Sequence, residues 1–233
     1  MLLNASAQEP PEVGSVKLYR YGDLLRMHNI GLTEPALVRA LKNANADVRD
    51  LAAAKLAEDK AVNAIPAIKE ALVVEKNPRA RVNIALALGL LGDQAEREEL
   101  TKICADTTFV PEFRLYAVRY TFDLHFQDER CLAATDQIVE SKGVTLGDRI
   151  SALELLPSFQ DVTTEQSQKI LQITLNSLAD TEPKVRIAAS QTLVSLGNAS
   201  AIPHLEAAIA REQEDGVRSV LEGQLKKLRM KAK

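Results

Sequence analysis

The feature that most limits what this chain can become is its own repetition. Starting from Arg186 in the segment Asp180 to Ile209, the same offsets recover Arg49, Arg81, Arg114, Arg149 and Arg218, with successive separations of 32, 33, 35, 37 and 32 residues. A period in this range marks a stack of supersecondary units rather than one closed globule. Seven residues after each arginine stands Leu56, Leu88, Thr121, Leu156, Leu193 or Leu225, and ten after stands Asp59, Leu91, Leu124, Phe159, Leu196 or Leu228. Three after comes Ala52, Ile84, Ala117, Ala152, Ala189 or Leu221, and just before comes Val48, Ala80, Phe113, Asp148, Val185 or Val217. Offsets −1, +3, +7 and +10 share one face of a 3.6-residue helix, so every arginine opens an amphipathic helix, here helix B.

A second helix, helix A, precedes each one. Thr33-Glu34-Pro35, Ile65-Pro66 and Ile202-Pro203 place proline in a first helical turn, where its missing N–H leaves no bond unmade. Gly92 and Gly197 stand where the chain must leave helix B, as at a C-cap. One such hairpin exposes an apolar face and is not stable alone, so neighbours must stack. Composition agrees: 46% of residues are hydrophobic, only 4% are aromatic and tryptophan is absent, a balance suited to closely packed helices. The expected fold is all-α, a right-handed α-solenoid of about six helical hairpins.

The pattern D-x-x-x-x-V-R-x-A-A-x-x-L-x-x-L-G at Asp180 to Gly197 resembles a HEAT repeat, and the period is similar to the short subclass named after phycobilisome lyases. The resemblance covers about Thr33 to Lys233 and weakens in repeats three and four, where Tyr116 and Leu153 replace small residues. It implies a structural ladder made by Arg49, Arg81, Arg114, Arg149, Arg186 and Arg218, each arginine meeting an acidic turn residue. Asp180, Glu75 and Glu212 lie six residues before their anchors, whereas Asn43 and Thr108 at that offset, and Lys142 one residue earlier, carry no carboxylate, so the ladder is expected to be incomplete.

Before the repeats, residues 16–32 read as an N-terminal cap and residues 1–15 as a disordered leader or the remnant of a signal peptide, with a small-x-small site at Ala5-Ser6-Ala7. The repeat domain then occupies residues 33–233. The sequence as it stands reads as cytoplasmic, and as exported if a signal peptide precedes that site. Cys104 and Cys131 have no CxxC or Cys/His spacing and read as two buried thiols. The longest spacing, into repeat five, points to a lengthened turn near Gln160 to Glu165.

Chemistry-bearing motifs are sparse. His28, His125 and His204 fall in three different segments without a paired glutamate, which excludes the iron chemistry of the HEAT-like deoxyhypusine hydroxylases, and neither a metal nor another cofactor is expected. A net charge of −3, from 29 basic and 32 acidic residues, and the missing tryptophan disfavour a HEAT-like alkyl-base DNA glycosylase and nucleic-acid binding generally. No apolar run reaches the roughly 20 residues of a membrane span. One local feature rises above scaffold: six of nine aromatics, Phe109, Phe113, Tyr116, Tyr120, Phe122 and Phe126, crowd into repeat three. Tyr116 and Tyr120 sit away from the buried stripe, on the side of helix B that lines the concave surface in a HEAT-like stack. With Leu86, Leu90, Arg119, Asp123 and Glu154 they form a candidate partner-binding strip. The expected function is a monomeric, non-catalytic scaffold that binds a protein or peptide; a tetrapyrrole lyase or isomerase subunit is the alternative.

Overall fold

The computed structural model describes residues 20–93, 95–160 and 162–231; the leader, its small-x-small site and the first residues of the cap lie outside them. These residues form thirteen α-helices and no strand. A short helix α1 (Tyr21–Met27) precedes six hairpins: α2 (Glu34–Ala40) with α3 (Ala46–Glu58), α4 (Ile65–Val74) with α5 (Pro78–Leu90), α6 (Ala95–Ala105) with α7 (Pro111–Asp123), α8 (Glu129–Glu140) with α9 (Leu146–Leu155), α10 (Thr164–Ser177) with α11 (Pro183–Leu196), and α12 (Ile202–Arg211) with α13 (Asp215–Lys231). Each second helix packs on the next, from α3 through α5, α7, α9 and α11 to α13, and α1 covers the open side of α3. The molecule is an α-solenoid with one continuous apolar core.

The heptad-like stripes explain the stacking. Offset +3 is 0% exposed in all six repeats, at Ala52, Ile84, Ala117, Ala152, Ala189 and Leu221, and four of those residues are alanine, which lets neighbouring helices approach closely. Helix starts follow local chemistry: Asn45, Asn77 and Thr145 accept hydrogen bonds from N–H groups of α3, α5 and α9, and Thr163 with Gln166 forms a capping box on α10. Helix ends are just as regular. The residue eleven after the anchor is left-handed at Lys60 (φ 56°), Gly92 (85°), His125 (54°) and Gly197 (68°). At the first three of these, the next N–H reaches back to a carbonyl of the last turn, as from Ala61 to Leu56, Asp93 to Leu88 and Phe126 to Thr121.

Repeat four departs from this. Pro157 has no N–H to give to the Leu153 carbonyl, so α9 stops at Leu155 and tightens into a 3-10 turn over Leu156–Ser158. The Leu153 carbonyl instead accepts from the N–H of Leu156 and, at 3.1 Å, from the Thr192 hydroxyl of α11. The long spacing into repeat five comes instead from α10, which runs 14 residues where α4 and α12 run 10; α10 begins 15 residues after Arg149, as α8 does after Arg114, so the turn expected near Gln160 to Glu165 is not lengthened.

The anchor arginines hold consecutive turns together. Arg49, Arg81, Arg186 and Arg218 each donate to the carbonyl six residues before themselves, at 2.7, 3.2, 3.0 and 2.6 Å. Arg49 also forks onto the Glu75 carboxylate at 2.6 and 2.7 Å, Arg186 onto Glu212 at 2.7 and 2.8 Å, and Arg149 onto Asp180. Each carboxylate belongs to the following repeat, so a turn is gripped by its own arginine through main chain and by the preceding one through side chain. Where the carboxylate is missing, substitutes come from first helices: Arg81 donates to Glu99 of α6 at 2.7 Å, and Arg114 to the neutral Gln137 of α8 at 2.9 Å.

The cysteines overturn the reading as two thiols. Cys104 of α6 and Cys131 of α8 are joined in a disulfide across repeats three and four, both fully buried. Sequence spacing could not reveal the pair, because two different helices of successive repeats bring the sulfurs together. It lies where Arg114 lacks a carboxylate, and Arg114 donates to the Cys104 carbonyl itself at 2.8 Å.

Candidate functional site

The second helices leave one stripe unused by the core. Along α3 it carries Asp47, Asp50, Leu51, Ala54 and Glu58, and along α5 Arg79, Asn83, Leu86 and Leu90. Together with Tyr120 of α7 and Tyr21, Leu24 and His28 of α1, these residues enclose a cleft of about 730 Å³. Its surface is mostly apolar with charged groups set into it, and Leu90 at 58% and Tyr21 at 45% exposure present uncovered hydrocarbon to it. The helix α1 packs against α3 and supplies one side of the cleft through Tyr21, Leu24 and His28.

A polar relay crosses the floor through three consecutive second helices. The Tyr120 hydroxyl donates to Asn83 Oδ1 at 3.0 Å, and Asn83 Nδ2 donates to Asp50 Oδ2 at 3.1 Å. Arg79 forms an ion pair with Asp47 and approaches Asp50 Oδ2 at 3.4 Å. Burial lifts the Asp50 carboxyl above its ordinary range, a tendency that the Asn83 hydrogen bond and the Arg79 charge only partly oppose. Burial likewise raises the Tyr120 phenol.

The candidate strip read from sequence divides in space. Leu86, Leu90 and Tyr120 line the cleft. Tyr116 is 37% exposed and turns into a separate groove with Val110, Leu115, Val144 and Ser151, where its hydroxyl donates to Glu112 at 2.8 Å and its ring meets Phe113 at 6.1 Å. Arg119, Asp123 and Glu154 are exposed and lie outside both. Most of the other aromatics in the cluster pack inward: Phe122 meets Phe159 edge to face at 4.8 Å, and Phe126 lies under the Arg97 guanidinium at 5.2 Å. Asp50 went unnoticed in the sequence, although a signal was present. Offset +1 reads Asp50, Val82, Leu115, Ile150, Ile187 and Ser219, one charge in a mostly apolar column.

No group of three or more histidines, cysteines or carboxylates among the described residues is placed to hold a metal ion, and no described helix is long and apolar enough to cross a membrane.

Stacked helical hairpins bound by arginine forks define the class as an α-helical repeat protein. A family model of HEAT repeats matches residues 34–119 and 148–226, more than half of the chain, and the protein belongs to the HEAT-repeat family. The unmatched stretch between these blocks takes in the end of α7 and all of α8, within the degenerate middle of the array. The chain matches no curated protein. Among solved structures it is similar to a designed armadillo repeat protein (16% identity, TM-score 0.49, covering 84% of this chain and 100% of that one). It is also similar to the complex of CpcE and CpcF of phycocyanin lyase from Nostoc sp. (15%, 0.38, 100% and 98%) and to human deoxyhypusine hydroxylase (17%, 0.33, 91% and 90%).

Proposed function

We propose that this protein is a binding scaffold whose helix-B cleft receives an extended or helical segment of another protein. The observation that carries this reading is the cleft itself, mostly apolar and lined in part by uncovered Leu90 and Tyr21. A concave, mostly apolar site with a few convergent polar groups is the usual form of a recognition pocket. Binding suits the floor better than catalysis, because an amide stands between the Tyr120 phenol and the Asp50 carboxylate, and amides orient hydrogen bonds without relaying protons. Repetition supports the same view, since stacked hairpins build long surfaces by small increments.

A peptide-display selection on the immobilised protein tests the reading. Enriched peptides should bind wild type and the Val73→Asp variant, whose change lies on α4 away from the cleft, and should fail to bind Leu90→Asp. Leu90 is more than half exposed, so its replacement leaves the core intact, which melting by circular dichroism verifies. No enrichment, or peptides that bind Leu90→Asp equally well, would refute the cleft as the site.

A further inference from the structure

Asp50 is a carboxylate where the fold asks for hydrocarbon. In the equivalent position Val82 is 0% and Leu115 5% exposed, and Ile150 and Ile187 also pack against the core, so stacking does not require a charge there. The Asp50 side chain is nonetheless 92% buried, 8% of it remaining exposed. Placing a carboxylate in such surroundings is costly unless its oxygens are satisfied. They are satisfied unevenly. Asn83 and Arg79 both reach Oδ2, and Oδ1 receives no donor among the described residues while the side chain borders the cleft. Arg79 is itself 46% exposed and shared with Asp47. Costly charged groups in clefts cluster at sites that bind or react.

The surroundings define what would complete it. Leu51, Ala54, Leu86 and Leu90 offer an apolar channel for a methylene stem, and Tyr21 and Tyr120 border the cleft with aromatic rings. Among the lining residues three carboxylates, Asp47, Asp50 and Glu58, stand against two cations, Lys60 and Arg79. An apolar stem ending in a positive charge fits this combination, and an anion does not.

We propose that the unfilled oxygen of Asp50 anchors a lysine or arginine side chain of the segment that occupies the cleft. This inference rests on the cleft being a peptide-binding groove and adds the chemistry of its specificity. A basic side chain would thread between Leu86 and Leu90 and end at Oδ1, leaving the Asn83 and Tyr120 relay to hold the carboxylate in place.

The display selection above separates the two ideas. Peptides enriched on wild type should share a lysine or arginine, and replacing that residue by norleucine should weaken binding about tenfold or more by fluorescence anisotropy. The same replacement should cost nothing further on Asp50→Asn. Asp50→Val, which restores the residue type of the neighbouring repeat, should melt no lower than wild type and should lose the preference for a basic residue. Peptides that fail on Leu90→Asp but lack a basic residue, or bind Asp50→Asn unchanged, would overturn the anchor and leave the groove standing. A marked fall in the melting temperature of Asp50→Val, with the preference for a basic residue unchanged, would show that Asp50 serves the stack alone. Peptides indifferent to Leu90→Asp would remove the groove and the anchor together.

Discussion

Glu75, Asp180 and Glu212 do the same work in three places, each closing the fork of an arginine from the repeat before it. Their side chains are almost wholly buried, so removing the charge from one takes away the main counterpart of a guanidinium. Glu212→Gln should cost about 3 kcal/mol, at the lower end for a broken buried pair because Arg186 keeps some solvent contact, main-chain bonds and the exposed Glu214 carboxylate at 3.1 Å. Urea denaturation measures it. The hydrogen bond from Arg49 holds the Glu75 carboxyl below its ordinary range, and the one from Arg186 does so for Glu212. Burial would raise Asp180, but Arg149 and Lys142 together hold it far below. A carboxyl lowered on folding contributes stability that is complete above its unfolded value, near pH 4, and is lost as pH falls through its folded value. Asp50 has the opposite sign: its raised carboxyl costs stability as pH climbs above about 4. Urea midpoints followed from pH 7 to pH 2 should therefore fall steeply at the acid end, and Asp50→Val should have a higher neutral plateau than wild type. The three paired acids were legible from their spacing to the anchors. Their direction of pairing, back to the arginine of the preceding repeat, was not, because it depends on how far one turn overhangs the next.

Four second helices end on a left-handed residue whether or not it is glycine. Gly92 and Gly197 occupy the left-handed position that glycine adopts without a Cβ penalty, and both were readable as C-caps; Lys60 and His125 occupy the same position with none of that signal. Each non-glycine residue there carries a strain of roughly 1 kcal/mol. Lys60→Gly and His125→Gly should accordingly raise stability by up to about 1 kcal/mol. Gly197→Ala should lower it by about 1 kcal/mol or more, since a Cβ there also meets the Lys231 side chain at 3.3 Å. Differential scanning calorimetry of the three variants gives the comparison. The helix α9 shows the complementary case, in which Pro157 shortens an element that offset matching alone extends to Phe159.

At the scale of the whole array, stability passes from repeat to repeat, and the weakest coupling sets how it unfolds. Repeats three and four meet with Arg114 facing neutral Gln137, and burial lowers the Arg114 guanidinium from its usual value. The Cys104–Cys131 bond spans that junction, closing a loop of 27 residues. Replacing both cysteines with alanine should cost about 3–4 kcal/mol by loop-closure entropy. It should also expose the amides of α6 to α8 to hydrogen exchange ahead of those in α3, α9 and α11, whose anchor arginines keep their carboxylate forks. Exchange uniform across all repeats would contradict a weak centre.

Period, anchors and apolar offsets settled that this chain stacks hairpins, because burial of a helical stripe is a local pattern written at fixed spacing. Tertiary structure alone decided the disulfide, the split of Tyr116 from Tyr120 and the cleft with Asp50 on its floor. Those depend on side chains from three or four repeats converging, and on α1 folding over the first of them, and distances across a stack are not encoded at any one sequence interval.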